Sequence, residues 1–228
     1  MPAPALTPHA ELAVAGETLQ LLPQRAALWP ARRMLLVADI HIGKAAAFRA
    51  GGVPVPAGTT LQNLEALDRL LRTHDIDEVM FLGDFLHARA GRAPATLAAL
   101  QAWRERHARL ALTLVRGNHD SHAGDPPASL DIEVVDEPHR VGPFLFCHHP
   151  EEREEAYVIA GHVHPVFRLA AGGDSLRLPC FLFGPKRGML PSFGAFTGGH
   201  AVTPLPGERL FLAAEDRVFA LPSPTPID

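Results

Sequence analysis

The chain has 228 residues, of which 47% are hydrophobic, so it is long enough to bury one sizeable core. Its formal net charge of -4 and its isoelectric point near 6.3 exclude a globally basic nucleic-acid-binding protein. They do not exclude a locally positive active site, because net charge does not fix how the charge is distributed.

The predicted elements begin with a hairpin and then alternate between strands and helices. The segment from Leu12 to Leu22, which contains Gly16, is predicted to form the hairpin. Short runs rich in Val, Leu, Ile and Phe predict six strands, at Met34 to Ala38, Val79 to Leu82, Leu110 to Val115, Phe144 to Cys147, Tyr157 to Ala160 and Cys180 to Phe183. Two helices are predicted between the first three of these strands. The spacing of Leu61, Leu64, Leu67 and Leu71 indicates the first helix. The second is indicated by Leu97, Leu100 and Trp103, after a start signal at Ala93-Pro94.

The second half of the chain is predicted to consist mostly of strands. Its apolar runs follow each other with turns and no clear helix, at Leu176 to Leu178, Phe181 to Phe183, Leu210 to Ala213 and Val218 to Leu221. Such runs indicate antiparallel or mixed strands, and we expect two mixed sheets packed face to face. We expect a single domain over residues 1–221, followed by a disordered, proline-rich tail at residues 222–228.

Targeting signals and disulfides are not expected. Cys147 and Cys180 are the only cysteines, and each lies in an apolar run that predicts a buried thiol. Prolines interrupt Met1 to Leu12, so this segment lacks the unbroken apolar core of a signal peptide. No run approaches the roughly 18 apolar residues that a membrane span needs. We therefore expect a soluble, cytoplasmic protein.

Side chains that bind metals follow nearly every one of these strands. They form five motifs, Asp39-Ile40-His41, Gly83-Asp84, Gly117-Asn118-His119-Asp120, His148-His149 and Gly161-His162-Val163-His164. Together they supply carboxylates, a carboxamide and several imidazoles, a set that suits two divalent cations better than one. The sequence thus predicts two-metal chemistry on phosphate esters.

The spacing within the motifs predicts how they share the ions. In extended backbone, residues i and i+2 project to the same side, so Asp39 and His41 should reach one ion. The same alternation predicts that His162 and His164 point to one cluster. The two oxygens of Asp84 can bridge metals roughly 3.5 to 4 Å apart. Each motif alone is weak, since Gly, Asn and Asp are ordinary turn residues, and the prediction depends on all five together.

This series of motifs resembles the calcineurin-like metallophosphoesterases, from about Leu35 to His164. The resemblance implies a four-layer α/β/β/α sandwich with a dinuclear site at the carboxyl ends of the strands. It also implies two ligand sets, Asp39, His41, Asp84 and His164 for one metal, and Asp84, Asn118, His148 and His162 for the other.

The resemblance also implies roles for the catalytic candidates, His119 and Asp120. His119 would lie beside the metals and stabilise the phosphoryl charge or protonate the leaving alkoxide, while Asp120 orients its ring. The ligand of the fourth motif is His148 or His149. We favour His148 because the family's ligand is followed by one residue and then often by Gly or Pro, as in His148-His149-Pro150.

Three longer stretches indicate a smaller group within this family. They are Asp39 to Arg49, Gly83 to Pro94 and Phe183 to Gly199. They are similar to the ligase-associated DNA-damage-response phosphoesterases of bacteria. This similarity implies manganese dependence and activity on phosphodiesters, including single-stranded DNA. It also implies functional association with a DNA ligase, a nuclease and a helicase.

Basic residues near the motifs are candidate substrate-binding residues, namely Lys44, Arg49, Arg89, Arg92, Arg116, Lys186 and Arg187. They would form a groove for a nucleic-acid backbone, and the alternative is solvated surface charge. An anionic substrate agrees with the predicted site, because two divalent ions and two carboxylates leave a charge of about +2.

Three further residues have two interpretations each. His87 either supports Asp84 or caps a turn. Phe193 and Phe196 either stack on exposed bases or pack in the core.

Three functions compete at this point. The first is a two-metal phosphodiesterase, specifically a single-stranded DNA endonuclease in DNA repair. The second is a phosphomonoesterase or small-nucleotide hydrolase on the same scaffold, which would need a tight pocket for a terminal phosphate. The third is a non-catalytic binding module, against which the presence of Asp39, Asp84, Asn118 and His119 argues.

Overall fold

The structure is a computed structural model that describes residues 7–56, 58–171 and 174–223. Residues 1–6, the start of the segment considered as a signal peptide, lie outside the described residues. So do residues 224–228, which make up most of the predicted tail. The expected single domain over residues 1–221 stays a prediction.

The first sheet contains seven strands in sequence order. They are β1 (Ala10–Val14), β2 (Glu17–Leu21), β3 (Ala27–Trp29), β4 (Met34–Ala38), β5 (Glu78–Leu82), β6 (Ala111–Val115) and β7 (Glu133–Val135). Strands β1 to β4 pair antiparallel, and β1 and β2 form the predicted hairpin at the edge. Strands β4 to β7 pair in parallel, so their carboxyl ends meet at one edge of the sheet.

The four α-helices of the described residues connect the parallel strands of this sheet. They are α1 (Lys44–Ala50), α2 (Thr59–Thr73), α3 (Pro94–Arg106) and α4 (Asn118–Ala123). Short 3₁₀ turns lie at Pro30–Arg32, Arg89–Gly91 and Ala128–Leu130. As predicted, α3 begins at Pro94, because a proline in the first turn loses no helical hydrogen bond.

The second sheet contains the remaining nine strands. They are β8 (His139–Val141), β9 (Phe144–Cys147), β10 (Tyr157–Ala160), β11 (Pro165–Ala171), β12 (Asp174–Phe183), β13 (Arg187–Met189), β14 (His200–Ala201), β15 (Arg209–Ala213) and β16 (Val218–Ala220). Strands β9, β10 and β13 are parallel, whereas most other pairs are antiparallel. The runs predicted as separate strands around Pro179 form one strand, β12.

The core has two main layers, one on each face of the first sheet. Leu35 and Val37 of β4 pack under helices α2 and α3. Leu36 and Ala38 pack against the second sheet, where Phe146 contributes to the same layer. Strand β4 is buried along its whole length because it is covered on both faces. The predicted fold class, an α/β sandwich of two mixed sheets with flanking helices, is confirmed.

Two features of the helices differ from the sequence-based expectation. In α2 the buried face is formed by Leu64, Leu67 and Leu70, whereas Leu61 is 54% exposed. Within the described ranges all helices belong to the first sheet, and side chains such as Phe167 cover the outer face of the second. No helix in the described part of the chain is long and apolar enough to cross a membrane.

Candidate metal centre

The five motifs meet where the parallel strands of both sheets end. Asp39 follows β4, Asp84 follows β5 and Asn118 follows β6, all on the first sheet. His148 follows β9 and His162 follows β10 on the second sheet. The facing sheets therefore bring residues that are far apart in sequence to one edge of the sandwich.

The backbone is left-handed at five residues of three of these motifs. The φ angles are 51° at Asp39, 48° at His41, 46° at Asp84, 68° at His162 and 50° at His164. Non-glycine residues rarely adopt positive φ, and such strain concentrates at functional sites. The expectation that extended backbone aims Asp39 and His41 at one ion is wrong in its mechanism, because both follow the strand end and turn out of it.

The first ligand set consists of Asp39, His41, Asp84 and His164, whose ligand atoms lie within 4.8 Å of one another. His41 Nε2 lies 3.4 Å from His164 Nε2 and 3.8 Å from Asp84 Oδ2. His164 Nε2 lies 3.5 Å from Asp39 Oδ1. Four nitrogen and oxygen donors thus lie close enough together to bind a single cation.

The second ligand set surrounds His148. Its Nε2 atom lies 2.8 Å from Asn118 Oδ1, 3.0 Å from His162 Nδ1 and 3.6 Å from Asp84 Oδ1. Asp84 therefore directs one oxygen to each set. His162 belongs to this set and His164 to the first, so the spacing-based prediction that both point to one cluster is wrong.

Two observations show that these residues fit divalent cations. Asp39 Oδ1 is buried and accepts no hydrogen bond from any residue that the structure describes. A buried carboxylate oxygen without a partner is costly, and a cation would satisfy it. In addition, a Cβ atom on Gly83 would lie 1.9 Å from His148 Nδ1, so only glycine lets that ring lie against the Asp84 loop. The nitrogen and oxygen donors suit manganese, iron or zinc.

Burial prepares two of the imidazoles, those of His41 and His148, for metal binding. It lowers the pKa of His41 far below its usual range and that of His148 to about 4. Both rings are therefore neutral at physiological pH, which is the form that binds metals. Burial also raises the pKa of Asp84, and two adjacent cations would favour its ionised form.

Glu137 distinguishes His148 from His149. Its Oε2 atom accepts the backbone N–H groups of both histidines, at 2.7 and 2.9 Å, and its Oε1 atom lies 2.6 Å from His149 Nδ1. The His149 ring also lies within 4.8 Å of His148 and His162, but its Nδ1 is engaged by Glu137. The geometry thus favours His148 as the ligand. No motif points to Glu137, since it lies in Asp136-Glu137-Pro138, outside the five motifs.

His119 is oriented by a backbone carbonyl group. Its Nδ1 atom lies 2.9 Å from the carbonyl oxygen of His87, so Nδ1 carries the proton and donates it. Its Nε2 atom then faces Asp84 Oδ2 at 4.0 Å. The catalytic candidate therefore lies beside both ligand sets and outside them.

Asp120 does not orient that ring, which corrects the prediction. Its carboxylate accepts the backbone N–H groups of Phe85, Leu86 and Gly117 at 3.2, 2.9 and 3.0 Å. It is fully buried, and burial raises its pKa to about 6. Asp120 thus joins the loop that carries Asp84 to the loop that carries Asn118.

His87 supports two other histidines. Its Nδ1 atom lies 3.3 Å from His41 Nδ1, and its ring stacks on that of His119 with centroids 4.5 Å apart. Burial lowers the pKa of His87 to about 4. Neither predicted role, support of Asp84 or a turn cap, describes this position.

Most of the predicted substrate-binding residues have partners within the chain. Arg116 pairs with Asp125 and Asp136. Arg49, Arg89 and Arg92 donate to backbone carbonyl groups, those of Pro56, of His122, and of Ala123, Gly124 and Asp125, respectively.

The remaining three lie in different places. Lys186 pairs with Glu154, and Arg187 lies opposite Val158, at the end of β10 away from His162. Arg187 also donates to the carbonyl oxygen of Pro150 at 3.2 Å, so both residues have partners within the chain, and a groove shared with the other basic residues stays a prediction. Lys44 begins α1 and is half-buried; burial lowers its pKa, and the carboxylates of Asp84 and Asp39 oppose that shift. Lys44 is thus a predicted cation within electrostatic reach of both ligand carboxylates, Asp39 and Asp84.

Comparison with known proteins agrees with this geometry. The sequence model of the family described as calcineurin-like phosphoesterase matches residues 32–174. The chain belongs to the calcineurin-like phosphoesterase family. It is accordingly a metal-dependent phosphoesterase, and the resemblance seen in the motifs is confirmed.

The solved structures that match the chain include a nuclease and a protein of unknown function. The crystal structure of Pseudomonas putida nuclease MPE is 51% identical in sequence, with a TM-score of 0.84 over 93% of this chain and 100% of that chain. A protein of unknown function from Aquifex aeolicus, AQ665, is 18% identical, with a TM-score of 0.40 over 61% of this chain and 81% of that chain. The second likeness is too distant to inform fold or function. A comparison with functionally curated proteins found no match.

Proposed function

We propose that the chain is a two-metal phosphodiesterase that cleaves single-stranded DNA internally and acts in DNA repair. One observation carries the proposal. Asp84 directs one oxygen to each of two ligand sets, and His119 Nε2 lies 4.0 Å from Asp84 Oδ2. The 51% identity to a nuclease supports nucleic acid as the substrate class.

The two ligand sets would hold two divalent ions, and we propose manganese. Asp39, His41, Asp84 and His164 would hold one, and Asp84, Asn118, His148 and His162 the other. When bound, such a pair lowers the pKa of water to near neutrality and withdraws negative charge from the phosphoryl oxygens.

The protein's own residues would then bind the phosphate and assist the leaving group. The Nδ1–H group of His119 is held by the carbonyl of His87, which leaves Nε2 free to carry and donate a proton to the leaving oxygen. The ammonium group of Lys44, at the start of α1, would neutralise charge on the bound phosphodiester.

The exposure of the site supports a flexible strand as the substrate. Asp39, Asp84 and His148 are buried, whereas Asn118 and His162 are exposed and His119 is 39% exposed. A phosphate must therefore enter beside α4 and reach down to the loops. The stiff, paired backbone of a duplex bends poorly into such a recess, so duplex DNA should be the poorer substrate.

The decisive experiment is a panel of metals against substrates. With manganese we expect cleavage of circular single-stranded DNA, and faster hydrolysis of a small phosphodiester than of the matching monoester. Faster hydrolysis of the monoester would overturn the proposal and favour a phosphomonoesterase or small-nucleotide hydrolase. Survival of the circular strand where the small diester is cleaved would overturn the nuclease function alone.

The cellular setting follows from the same proposal. We propose the cytoplasm, where two buried cysteines, Cys147 and Cys180, stay as free thiols. We also propose a functional association with a DNA ligase, a nuclease and a helicase. Co-purification of the tagged protein from cells with damaged DNA would test it.

A further inference from the structure

Phe196 lies on the surface beside the candidate metal centre, whereas Phe193 does not. Phe193 is 2% exposed and packs in the core between the first sheet and its helices, so it cannot meet a substrate. Phe196 is partly exposed, in a segment with Gly194, Gly198 and Gly199. The structure thus places the two phenylalanines in different surroundings, one in the core and one at the surface.

An aromatic row leads from His119 to Phe196. The ring of His119 stacks on that of His87, with centroids 4.5 Å apart and planes at 27°. The ring centroids of Phe48 and His87 lie 5.9 Å apart, with the ring planes at 32°. The ring of Phe196 contacts that of Phe48 edge-on, with centroids 5.8 Å apart and planes at 89°. The row runs from the proposed proton donor outward to two partly exposed rings.

The helix that carries Phe48 is fixed to the site. A Cβ atom on Gly43 would lie 2.3 Å from the carbonyl oxygen of Gly91, so α1 begins in direct backbone contact with the Arg89–Gly91 turn. The N–H group of His87 donates to Ile42 O at 3.2 Å, which ties the segment before that turn to the Asp39 loop. Phe48 is therefore held at a fixed position relative to the ligands.

Phe196 is fixed in the same way. The Asn63 side chain accepts the N–H group of Ala195 at 2.9 Å and donates to Ile40 O at 2.9 Å. The carbonyl of Gly198 lies 3.2 Å from His164 Nδ1. The residues on both sides of Phe196 are thus bonded to the loops that carry the first ligand set.

Lys44 and Phe48 share one face of α1. They are four residues apart, about one helical turn, and both are partly buried. A strand whose phosphate meets Lys44 would place a neighbouring base over Phe48. Cation and aromatic ring together match the two parts of a nucleotide.

We propose that Phe48 and Phe196 form a stacking platform for the base of the nucleotide that carries the leaving oxygen, in which the base lies on the face of one ring and against the edge of the other. The row begins at His119, so the platform lies on the leaving-group side of the scissile phosphate. A base can stack on it only when unpaired, and the platform therefore selects single strands. This inference rests on the proposed nuclease function and specifies how its substrate is recognised.

The test uses end-labelled single-stranded oligonucleotides with one stable abasic site, and the rate at each linkage is read separately. The wild-type protein should cut the linkage on one side of the abasic site about 5- to 150-fold more slowly than distant linkages. Phe196→Leu keeps an apolar side chain against Phe48 but removes the aromatic face, so it should slow normal linkages and leave the abasic linkage unchanged. Phe196→Trp should restore the difference in cleavage rate between normal linkages and the abasic linkage.

A binding measurement checks the same contact without cleavage. With calcium in place of manganese, an oligonucleotide with 2-aminopurine at successive positions should show quenching at one position, and Phe196→Leu should relieve it. Phe219→Ala is the matched control, because Phe219 is 47% exposed on strand β16.

The possible results separate the two proposals. Equal slowing of normal and abasic linkages by Phe196→Leu, or no slowing at all, overturns the stacking platform and leaves the nuclease function intact. A wild-type protein that hydrolyses a small diester but cuts no oligonucleotide overturns the nuclease function, and the platform with it.

Discussion

The ring of His119 is held by the backbone of His87, through an Nδ1 to carbonyl oxygen distance of 2.9 Å. Because the acceptor is a carbonyl group, it cannot take a proton or change its charge. The contact fixes one tautomer and directs Nε2 towards Asp84. The hydrogen bond itself does not involve the side chain at position 87, so a substitution that keeps a stacked ring there can be tested separately from one at His119.

Replacing His119 should reduce turnover without removing metal. His119→Ala leaves both ligand sets intact, so the metal content should be unchanged while turnover falls about 10²- to 10⁴-fold, as for loss of a general acid. Diesters with better leaving groups should lose less, since they need less protonation. His122→Ala serves as a control on the exposed end of α4. Equal losses for all leaving groups would instead assign His119 to charge stabilisation.

Replacing His87 should act on metal binding through His41. His87→Phe keeps an aromatic ring on His119 and removes the nitrogen that lies 3.3 Å from His41 Nδ1. Loss of such a supporting contact typically lowers metal affinity or activity about 10- to 100-fold. Manganese titration measures the affinity, and we expect the leaving-group dependence to stay as in the wild type. Unchanged affinity would show that the contact between the two imidazoles is not needed.

Glu137 should stabilise the second ligand set and the fold. Glu137→Ala leaves the backbone N–H groups of His148 and His149 without their acceptor. This loss should lower the free energy of unfolding by about 1–3 kcal/mol. Glu137→Gln keeps an oxygen acceptor and should lose less. Denaturant unfolding of the metal-free protein isolates the effect on the fold. The account of Glu137 is wrong if both variants unfold as the wild type does.

Much of the fold was predictable from local sequence patterns. Strands β4, β9 and β10 lie where their apolar runs predicted, because strands buried on both faces read as unbroken hydrophobic runs. The buried face of α2 was displaced because Leu61 and Leu70 are chemically alike, and only packing decides which is buried.

The site was predictable in its composition but not in its geometry. Motif order identified the residues that converge, while the left-handed backbone at Asp39 and Asp84 leaves no sequence signal when the residue is not glycine. The partners of Asp120 and Glu137 are backbone N–H groups, which every residue carries, so no residue type marks them. The ion pair of Arg116 with Asp136 likewise depends on tertiary contacts.

The central claim is that Asp84 holds two metals at once, and the metal content of the manganese-loaded protein tests it most directly. Elemental analysis should find two manganese ions per chain in the wild type. Asp84→Asn removes a charge that both ions share, so this variant should lose occupancy of both positions and nearly all hydrolysis. His162→Ala, which removes a ligand of the second set alone, should retain one ion. Full occupancy by two ions in Asp84→Asn, or a single ion in the wild type, would contradict the account.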